Sequence, residues 1–419
     1  MPVRFLFFLL SLYCLCSHCA QDQERPPASD DEIRSVVVLV RHGVRAPIES
    51  EIRGSAYNAE PWPAWSAAPG VLTQHGADGL RLLGEYYRLR YPSLLQHLSC
   101  EHPGIYVEAN TTQRTIASAR AIVAGVAPGC PVEVHFRPRQ GNPLFAPSTN
   151  RLVDKQKVTD ATDGRMGNQP DWFAGAFAAP LANMHRVLMD CNGSHCDKTK
   201  PDFRNAVVMH GDDLTESPVA MGADFAENFL LQYTEGMPMD KVGWGRVSRE
   251  DLNSLMEMNT RYHDFMLRTP YFAQVAASDL AVHLRDTILG VPGQLGTPQD
   301  RLVLLVGHDA NLSWLGGLLR LDWLLPDQTF NATPPGSALV FEVHQSKTTG
   351  ASTVRVLFVS QTLDQIRNLR PLTGGEEPSV APVYVPGCSG PAPTYACMVD
   401  RFAGIITAAI DPAMVEAAK

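Results

Sequence analysis

The sequence lacks the usual features of membrane, metal-binding and nucleic-acid-binding proteins. The apolar stretch at residues 5–16 is shorter than the roughly 20 residues that span a bilayer, and no later segment reaches that length. Outside residues 1–20 there is no CxxC pair of the kind that binds zinc. Acidic residues outnumber basic ones by 44 to 35, whereas binding to a nucleic-acid backbone needs clustered positive charge. We therefore expect no membrane span, no metal or other cofactor and no nucleic-acid partner.

Residues 1–20 have the pattern of a secretory signal peptide. Arg4 supplies the positive charge, the apolar stretch follows, and small residues close the segment. Cleavage after Cys19 and after Ala20 both fit this pattern, and a buried helix or an anchor is the alternative reading. We expect an exported protein, located in a periplasm or secreted.

The cysteines are consistent with export. Of nine, three lie in residues 1–20, which leaves six (9 − 3). An even number in an exported chain favours disulfide bonds over free thiols. The six form three couples that are close in sequence, and we expect three local disulfides: Cys100 with Cys130, Cys191 with Cys196, and Cys388 with Cys397.

The apolar patterns predict an α/β fold. Ser35–Val40 and Leu302–Val306 are apolar runs of valine and leucine, typical of strands buried on both faces, and Gly104–Ala109 is a third candidate strand. Apolar residues at helical spacing follow at 71–91 and 111–126. Strands that alternate with helices indicate a mostly parallel central sheet flanked by helices.

The middle of the chain differs from both ends. Between residues 146 and 298 the β-branched runs nearly disappear and helical patterns dominate. We interpret 146–298 as a mainly helical inserted second domain, with residues 31–145 and 299–419 forming the α/β core. Within the later core segment, two apolar runs at 339–343 and 354–359 predict an antiparallel hairpin.

Two histidines directly follow two of the predicted strands. His42 lies between Arg41 and Arg45 in RHGVRAP, and His308 precedes Asp309 in GHD. Open α/β sheets bind ligands outside the carboxyl ends of their strands, so neighbouring strands would bring the two histidines into one crevice. Guanidinium groups match phosphate and carboxylate oxygens in pairs. The expected ligand is therefore a small anion.

These residue types suit the transfer of a phosphoryl group to a side chain. Neutral His42 would attack phosphorus, and the positive charge around it would keep it neutral. The arginines and His308 would stabilise the phosphate oxygens, joined by Arg114 at the start of the helix after the third strand. Asp309 would protonate the leaving oxygen, so we expect an acidic pH optimum without a metal ion.

Other functions are compatible with parts of this pattern. A metal-dependent HD hydrolase also contains His-Asp, and a phosphomutase uses a similar RHG site. A non-catalytic anion-binding protein or a structural secreted module would show no turnover. The cluster at 210–213 has the residue types of a metal site, but a capping loop before the helix that begins at Ser217 explains it equally well.

The two motifs together resemble those of the histidine acid phosphatases, the second branch of the histidine phosphatase superfamily. Further segments resemble the bacterial periplasmic phytase and glucose-1-phosphatase subgroup: residues 62–65, 72–76, 83–88, 227–232, 236–238, 243–246, 268–270 and 333–336. The resemblance implies an enzyme that hydrolyses small phosphate esters, namely phytate or sugar phosphates. We expect the protein to be a monomer.

The resemblance also implies roles for particular residues. It implies a phosphohistidine at His42, proton donation by Asp309, and a phosphate clamp formed by Arg41, Arg45, Arg114 and His308. It places Glu227 and Arg268 in the substrate pocket.

The chain departs from the pattern of related phytases directly after RHGVRAP. Ile48 and Glu49 stand where those enzymes have a threonine and a lysine that help to bind highly charged phytate. Ala310 likewise replaces the threonine or serine that usually follows His-Asp. A glutamate in place of lysine changes the local charge by about two units, so we expect a weakened preference for phytate.

Overall fold

The chain folds around one mixed β-sheet. The computed structural model describes residues 30–95, 99–101, 103–137, 144–145, 154–169, 175–190, 199–205, 217–292 and 295–415. In these residues the sheet has seven strands: β1 (Asp31–Arg41), β2 (Ile105–Ala109), β3 (Leu302–Gly307), β4 (Ala338–Ser346), β5 (Ser352–Ser360), β6 (Ser379–Val383) and β7 (Cys397–Met398).

The sheet combines a parallel part with an antiparallel part. Its order is β2-β3-β1-β4-β5-β6, with β7 paired to β5. The strands β2, β3 and β1 run parallel, whereas β4, β5 and β6 are antiparallel to their neighbours. The predicted α/β class with parallel core strands is confirmed, and so is the hairpin, which is β4 and β5.

Helices cover both faces of this sheet. The helices of the described residues are α1 (Glu49–Ile52), α2 (Gln74–Arg90), α3 (Pro92–Leu95), α4 (Gln113–Val126), α5 (Lys155–Arg165), α6 (Ala178–Leu188), α7 (Pro218–Thr234), α8 (Arg249–Met266), α9 (Pro270–Ile288), α10 (Asp309–Leu319), α11 (Leu363–Asn368) and α12 (Val399–Ala409). No helix in this part of the chain is long and apolar enough to cross a bilayer.

The alternation of side chains along β1 explains its continuous apolar sequence. Val36 and Val38 pack with α2 and α4 on one face of the sheet. Val37 and Leu39 pack with α9, α10 and α12 on the other face. Since successive side chains of a strand point to opposite faces, a strand covered on both sides needs an apolar residue at every position.

A third apolar cluster lies among helices α6, α7 and α8. These helices fall between β2 and β3 in the chain, within the range 146–298. Helix α9 falls in the same range but packs against the sheet through Leu280 and Leu284. The division of the chain into a core and an inserted domain stays a prediction.

Two of the expected disulfides are present, Cys100–Cys130 and Cys388–Cys397. The third pair, Cys191 and Cys196, lies outside the described residues. The same is true of residues 1–20 and of the cluster at 210–213.

Candidate active site

The parallel strands bring three polar residues to one edge of the sheet. Arg41 and Gly307 are direct partners at the ends of β1 and β3, so His42 and His308 leave the sheet side by side. The amide of His42 donates to the carbonyl of Gly307 over 3.0 Å. The two imidazole rings lie 5.4 Å apart between centroids, at an interplanar angle of 75°. Asn110 leaves the end of β2 at the same edge, where its amide donates to the carbonyl of Val306.

The hydrogen bonding of His42 identifies its free nitrogen. Nδ1 lies 2.8 Å from the carbonyl oxygen of Gly43, and a carbonyl only accepts, so Nδ1 carries the proton. Nε2 therefore has the lone pair. Burial lowers the pKa of His42 well below its ordinary value, and the charge of Arg41 and the nearby His308 lower it further. The side chain is a neutral imidazole under mildly acidic conditions.

A glycine after His42 allows the chain to pass close to α2. The Gly43 amide donates to Ser118 Oγ over 3.1 Å. A Cβ at this position would lie 2.8 Å from both the Gly76 carbonyl oxygen and Leu80 Cδ1. Since neither the backbone nor a packed leucine can move away at low energetic cost, this close approach requires glycine.

Arg41 is buried between two carboxylates and a backbone carbonyl. Only 1% of it is exposed, and it donates to the Thr333 carbonyl and to Glu227 Oε1. Its Nη2 also lies 3.2 Å from Asp309 Oδ2. Burial opposes the charged form, but Glu227 and Asp309 outweigh it and raise the pKa of Arg41. Arg41 thus connects the two carboxylates and is always charged.

Arg45 is bound by a carboxylate that the sequence did not reveal. Its Nη1 donates to Glu51 Oε2 over 2.8 Å and its Nη2 to Glu51 Oε1 over 2.6 Å. Both side chains are buried, at 5% and 3% exposure. Two parallel N–H···O bonds of this kind fix the plane of a guanidinium. A glutamate six positions after Arg45 gives no signal of this contact in the sequence, because a turn of chain and a short helix create it.

Arg114 lies in the first turn of α4, close to Arg45. Its Nη1 is 3.5 Å from the carbonyl oxygen of Gly70. Burial and then the charge of Arg45 lower the pKa of Arg114 to about 10. A cluster of positive charges at close range is unfavourable unless an anion joins it.

Each of the three arginines has a buried Nε–H group without a hydrogen-bond partner. In the described residues, the Nε atoms of Arg41, Arg45 and Arg114 are all buried without a hydrogen-bond partner. Arg246 and Arg355, outside the site, also have an unpartnered buried Nε, so the informative feature is the grouping of three such donors around His42, which suits a ligand with several acceptors. Glu227 Oε2 is a buried acceptor without a partner in the same region.

His308 is oriented by an asparagine. Asn110 Nδ2 lies 2.8 Å from His308 Nε2, while Asn110 Oδ1 accepts from the Thr111 amide over 2.7 Å. The second bond fixes the orientation of the amide, so Nε2 of His308 accepts and Nδ1 carries the proton. Burial and the charge of Arg114 lower the pKa of His308 to about 3. Asn110 directly follows a predicted strand, and that position was the signal that could have identified it.

Asp309 begins helix α10, where the helix N-terminus favours negative charge. Its Oδ1 accepts from the Ala310 amide over 2.8 Å, and 25% of its side chain is exposed. Burial alone would raise the pKa of Asp309, but Arg41 and then His263 hold it well below its usual range. His263, on α8, was not identified from the sequence, since it belongs to no strand end or motif.

The structure places the three predicted pocket residues, Ile48, Glu227 and Arg268, in different surroundings. Ile48 is 37% exposed, and it borders Gly70 together with Arg114. Glu227 is directly bound to Arg41.

Arg268 donates to the Leu321 carbonyl and to Asp322 Oδ1, and it lies 3.4 Å from Asp264. These contacts connect the end of α8 to the chain that follows α10. The predicted role of Arg268 in the substrate pocket therefore lacks a contact that supports it and stays a prediction.

No group of three His, Cys, Asp or Glu side chains suitable for a metal ion occurs in the part of the chain that the structure describes. The cluster at the sheet edge instead combines three arginines, two neutral imidazoles and the partly exposed carboxylate of Asp309, with Glu227 and Glu51 bound to two of the arginines. An α/β sheet with this arrangement at the carboxyl ends of parallel strands defines a phosphate-handling protein of the histidine phosphatase class.

The chain belongs to the histidine phosphatase superfamily (branch 2), whose family model matches residues 32–359. Phytase AppA of Escherichia coli (strain K12) is 30% identical over 97% of this chain and 98% of its own length. Glucose-1-phosphatase of Salmonella typhimurium is 27% identical over 94% of this chain and 96% of its own. Among solved structures, the Hafnia alvei phytase in complex with tartrate has a TM-score of 0.84 and 31% identity, and the match covers 93% of this chain and 100% of that one. The predicted family is confirmed, and the chain is an enzyme of the histidine acid phosphatase kind, a phosphomonoesterase.

Proposed function

We propose that this protein hydrolyses phosphate monoesters through a phosphohistidine on His42, with Asp309 as proton donor and without a metal ion. The observation that carries the proposal is the neutral His42, with Nε2 free, beside three arginines whose Nε–H groups are buried without partners. A phosphoryl group supplies the acceptors that these donors lack, and it places phosphorus next to the nucleophile.

The first half of the reaction forms the covalent intermediate. His42 Nε2 attacks phosphorus, the bond from phosphorus to the ester oxygen breaks, and the leaving oxygen takes a proton from Asp309. Arg41, Arg45 and Arg114 stabilise the equatorial oxygens, and the Nδ1–H of His308 is a further donor. The hydrogen bond from His42 Nδ1 to Gly43 favours the positive charge that develops on the imidazole.

In the second half, water attacks the phosphohistidine. Ionised Asp309 accepts a proton from this water, the P–N bond breaks, and inorganic phosphate leaves with His42 again neutral. The same carboxyl group thus serves as acid in the first step and as base in the second.

The proton on Asp309 comes with the substrate. In the empty site Arg41 and His263 keep this carboxyl ionised. A bound phosphate places negative charge against the same arginine and so raises the pKa of Asp309. A phosphate ester also loses its second proton near pH ~6, so the monoanionic ester present below that pH can pass a proton to Asp309.

The proposed reaction predicts a characteristic pH and chelator response. Because the lowered pKa of His42 keeps it neutral, hydrolysis of an aryl phosphate should persist well below pH ~6.5. It should decline as the pH rises and the ester loses the proton that Asp309 needs. We expect acid-peaked phosphate release between pH ~3 and ~8 that EDTA does not reduce.

The same assay separates the alternatives. Loss of turnover with EDTA would favour a metal-dependent hydrolase, and a requirement for a bisphosphate primer would favour a mutase. Binding of phosphate without any turnover would indicate an anion-binding protein of the same fold. Each of these three results contradicts the proposal.

For the substrate, we propose small phosphate esters of inositol or of a sugar, with a weaker preference for phytate than lysine-containing relatives have. The phytase and the glucose-1-phosphatase named above are comparably similar to this chain. The apolar Ile48 lies next to Gly70 and Arg114, and Glu49 follows it in α1. Glu49 is exposed one residue after Ile48, and its negative charge disfavours an ester that carries additional phosphates.

Replacing this pair should therefore shift the substrate preference. For the double variant Ile48→Thr/Glu49→Lys, we expect kcat/KM for phytate to rise about tenfold relative to kcat/KM for glucose 1-phosphate, because about two units of charge change near the ligand. The two substrates are compared at one pH and one salt concentration. An unchanged ratio would show that these positions do not disfavour phytate.

We also propose export to a periplasm or to the medium and a monomeric state. The two disulfides of the described residues support export, because such bonds persist in oxidising compartments.

A further inference from the structure

We propose that Glu51 is a positioning residue for phosphate binding, acting through Arg45. This inference rests on the proposed function, because it assigns Glu51 the task of aiming one arginine of the phosphate clamp. The direct evidence is the pair of hydrogen bonds at 2.8 and 2.6 Å between two side chains that are almost fully buried. Among the described residues, Arg45 is the one arginine around His42 that forms a bidentate pair with a carboxylate.

Glu51 is itself held in place from two sides. Its Oε2 accepts from the Ile48 amide over 2.7 Å, which caps the short helix α1. Its backbone carbonyl accepts from Asn228 Nδ2 over 3.3 Å, and Asn228 is the neighbour of Glu227 on α7. The carboxylate is thus fixed relative to both the RHGVRAP segment and α7, and it can impose that geometry on Arg45.

The pairing selects which part of Arg45 meets the ligand. Both terminal nitrogens are engaged by Glu51, and Nη1 also donates to the Ala46 carbonyl over 3.2 Å. The Nε–H remains buried without a partner. A guanidinium held by its far end in this way presents its Nε–H edge to a phosphate oxygen.

The sign of a mutational effect distinguishes positioning from simple charge. If Glu51 acted only as a negative charge near the clamp, its removal would tighten the binding of an anion. If Glu51 orients Arg45, its removal lets the guanidinium turn away and weakens binding. Loss of a residue that orients a metal ligand typically costs about 10- to 100-fold in affinity, and we expect the lower end of that range for a residue that orients an arginine.

The test measures inorganic phosphate binding by calorimetry in a double-mutant cycle. We expect Glu51→Gln to weaken phosphate binding about tenfold in the otherwise unchanged protein. In an Arg45→Ala background the same substitution should not weaken phosphate binding, because its target is gone and only the removal of a negative charge remains. Tighter binding in Glu51→Gln, or an equal change in both backgrounds, would overturn the inference.

A second variant tests the same inference in case Glu51→Gln does not fold. Glu51→Asp keeps the negative charge but shortens the side chain by one methylene, so it cannot make both bonds to Arg45. We expect phosphate binding to weaken here as well, whereas a charge-only role predicts no change. Thermal melting of each variant shows what fraction is folded. If the unchanged protein binds phosphate but does not hydrolyse esters, the proposed function fails; the pattern among the variants decides the role of Glu51 separately.

Discussion

Replacing His42 with alanine is expected to eliminate turnover. Removal of the nucleophile in other covalent enzymes costs on the order of 10⁶-fold in rate, and we expect a loss of at least about 10⁴-fold here. The reason is that water is not a nucleophile comparable to the His42 nitrogen. His42 is 2% exposed, and its Nε2 is the free nitrogen beside the arginine cluster. The arginines remain, so inorganic phosphate should still bind.

His135→Ala provides the matched control. His135 is a partly exposed histidine that stacks on Tyr106, with 42% of its side chain exposed. Its removal should leave the turnover of an aryl phosphate within about twofold, as is usual for surface substitutions. If His42→Ala retained more than a few per cent of the wild-type rate while folded, His42 could not be the nucleophile.

Replacing Asp309 with asparagine should slow the reaction according to the leaving group. Asparagine keeps an oxygen for the Ala310 amide but cannot give a proton to the ester oxygen. A general acid typically contributes about 10²- to 10⁴-fold, and we expect a loss of that size for an alkyl phosphate such as glucose 1-phosphate. For 4-nitrophenyl phosphate, whose leaving group needs little protonation, the first step should slow about tenfold or less, measured as the initial release of nitrophenolate before the second step, in which Asp309 is the base, limits turnover.

The substitution also separates chemistry from binding. Asp309→Asn removes a negative charge 3.2 Å from Arg41, so affinity for inorganic phosphate should not decrease. Equal losses in the rate of phosphohistidine formation from both esters would show that Asp309 does not protonate the leaving group. A rate loss accompanied by weaker phosphate binding would point instead to a disturbed Arg41.

The strand ends were readable from the sequence because burial leaves a simple pattern. A strand covered on both faces must be apolar throughout, so Ser35–Val40 and Leu302–Val306 stand out, and the polar residues that follow them stand at an edge of the sheet. That these two strands are neighbours depends on the topology of the whole sheet. No local pattern encodes it.

The residues that orient the site were not readable in the same way. Glu51 contacts Arg45 from a short helix, and Asn110 contacts His308 from the end of the neighbouring strand. His263 comes from a helix between β2 and β3 in the chain. Each contact is created by tertiary packing, which places residues together without any fixed spacing in the chain.

The central claim is that phosphate is transferred to His42. The most direct test mixes the enzyme with a ³²P-labelled phosphate ester, quenches the reaction in alkali within milliseconds, and maps the labelled residue by mass spectrometry. The account predicts an acid-labile, alkali-stable phosphoryl group on Nε2 of His42, formed at least as fast as product appears. Rapid turnover without a labelled His42, or a label on another residue, would contradict it.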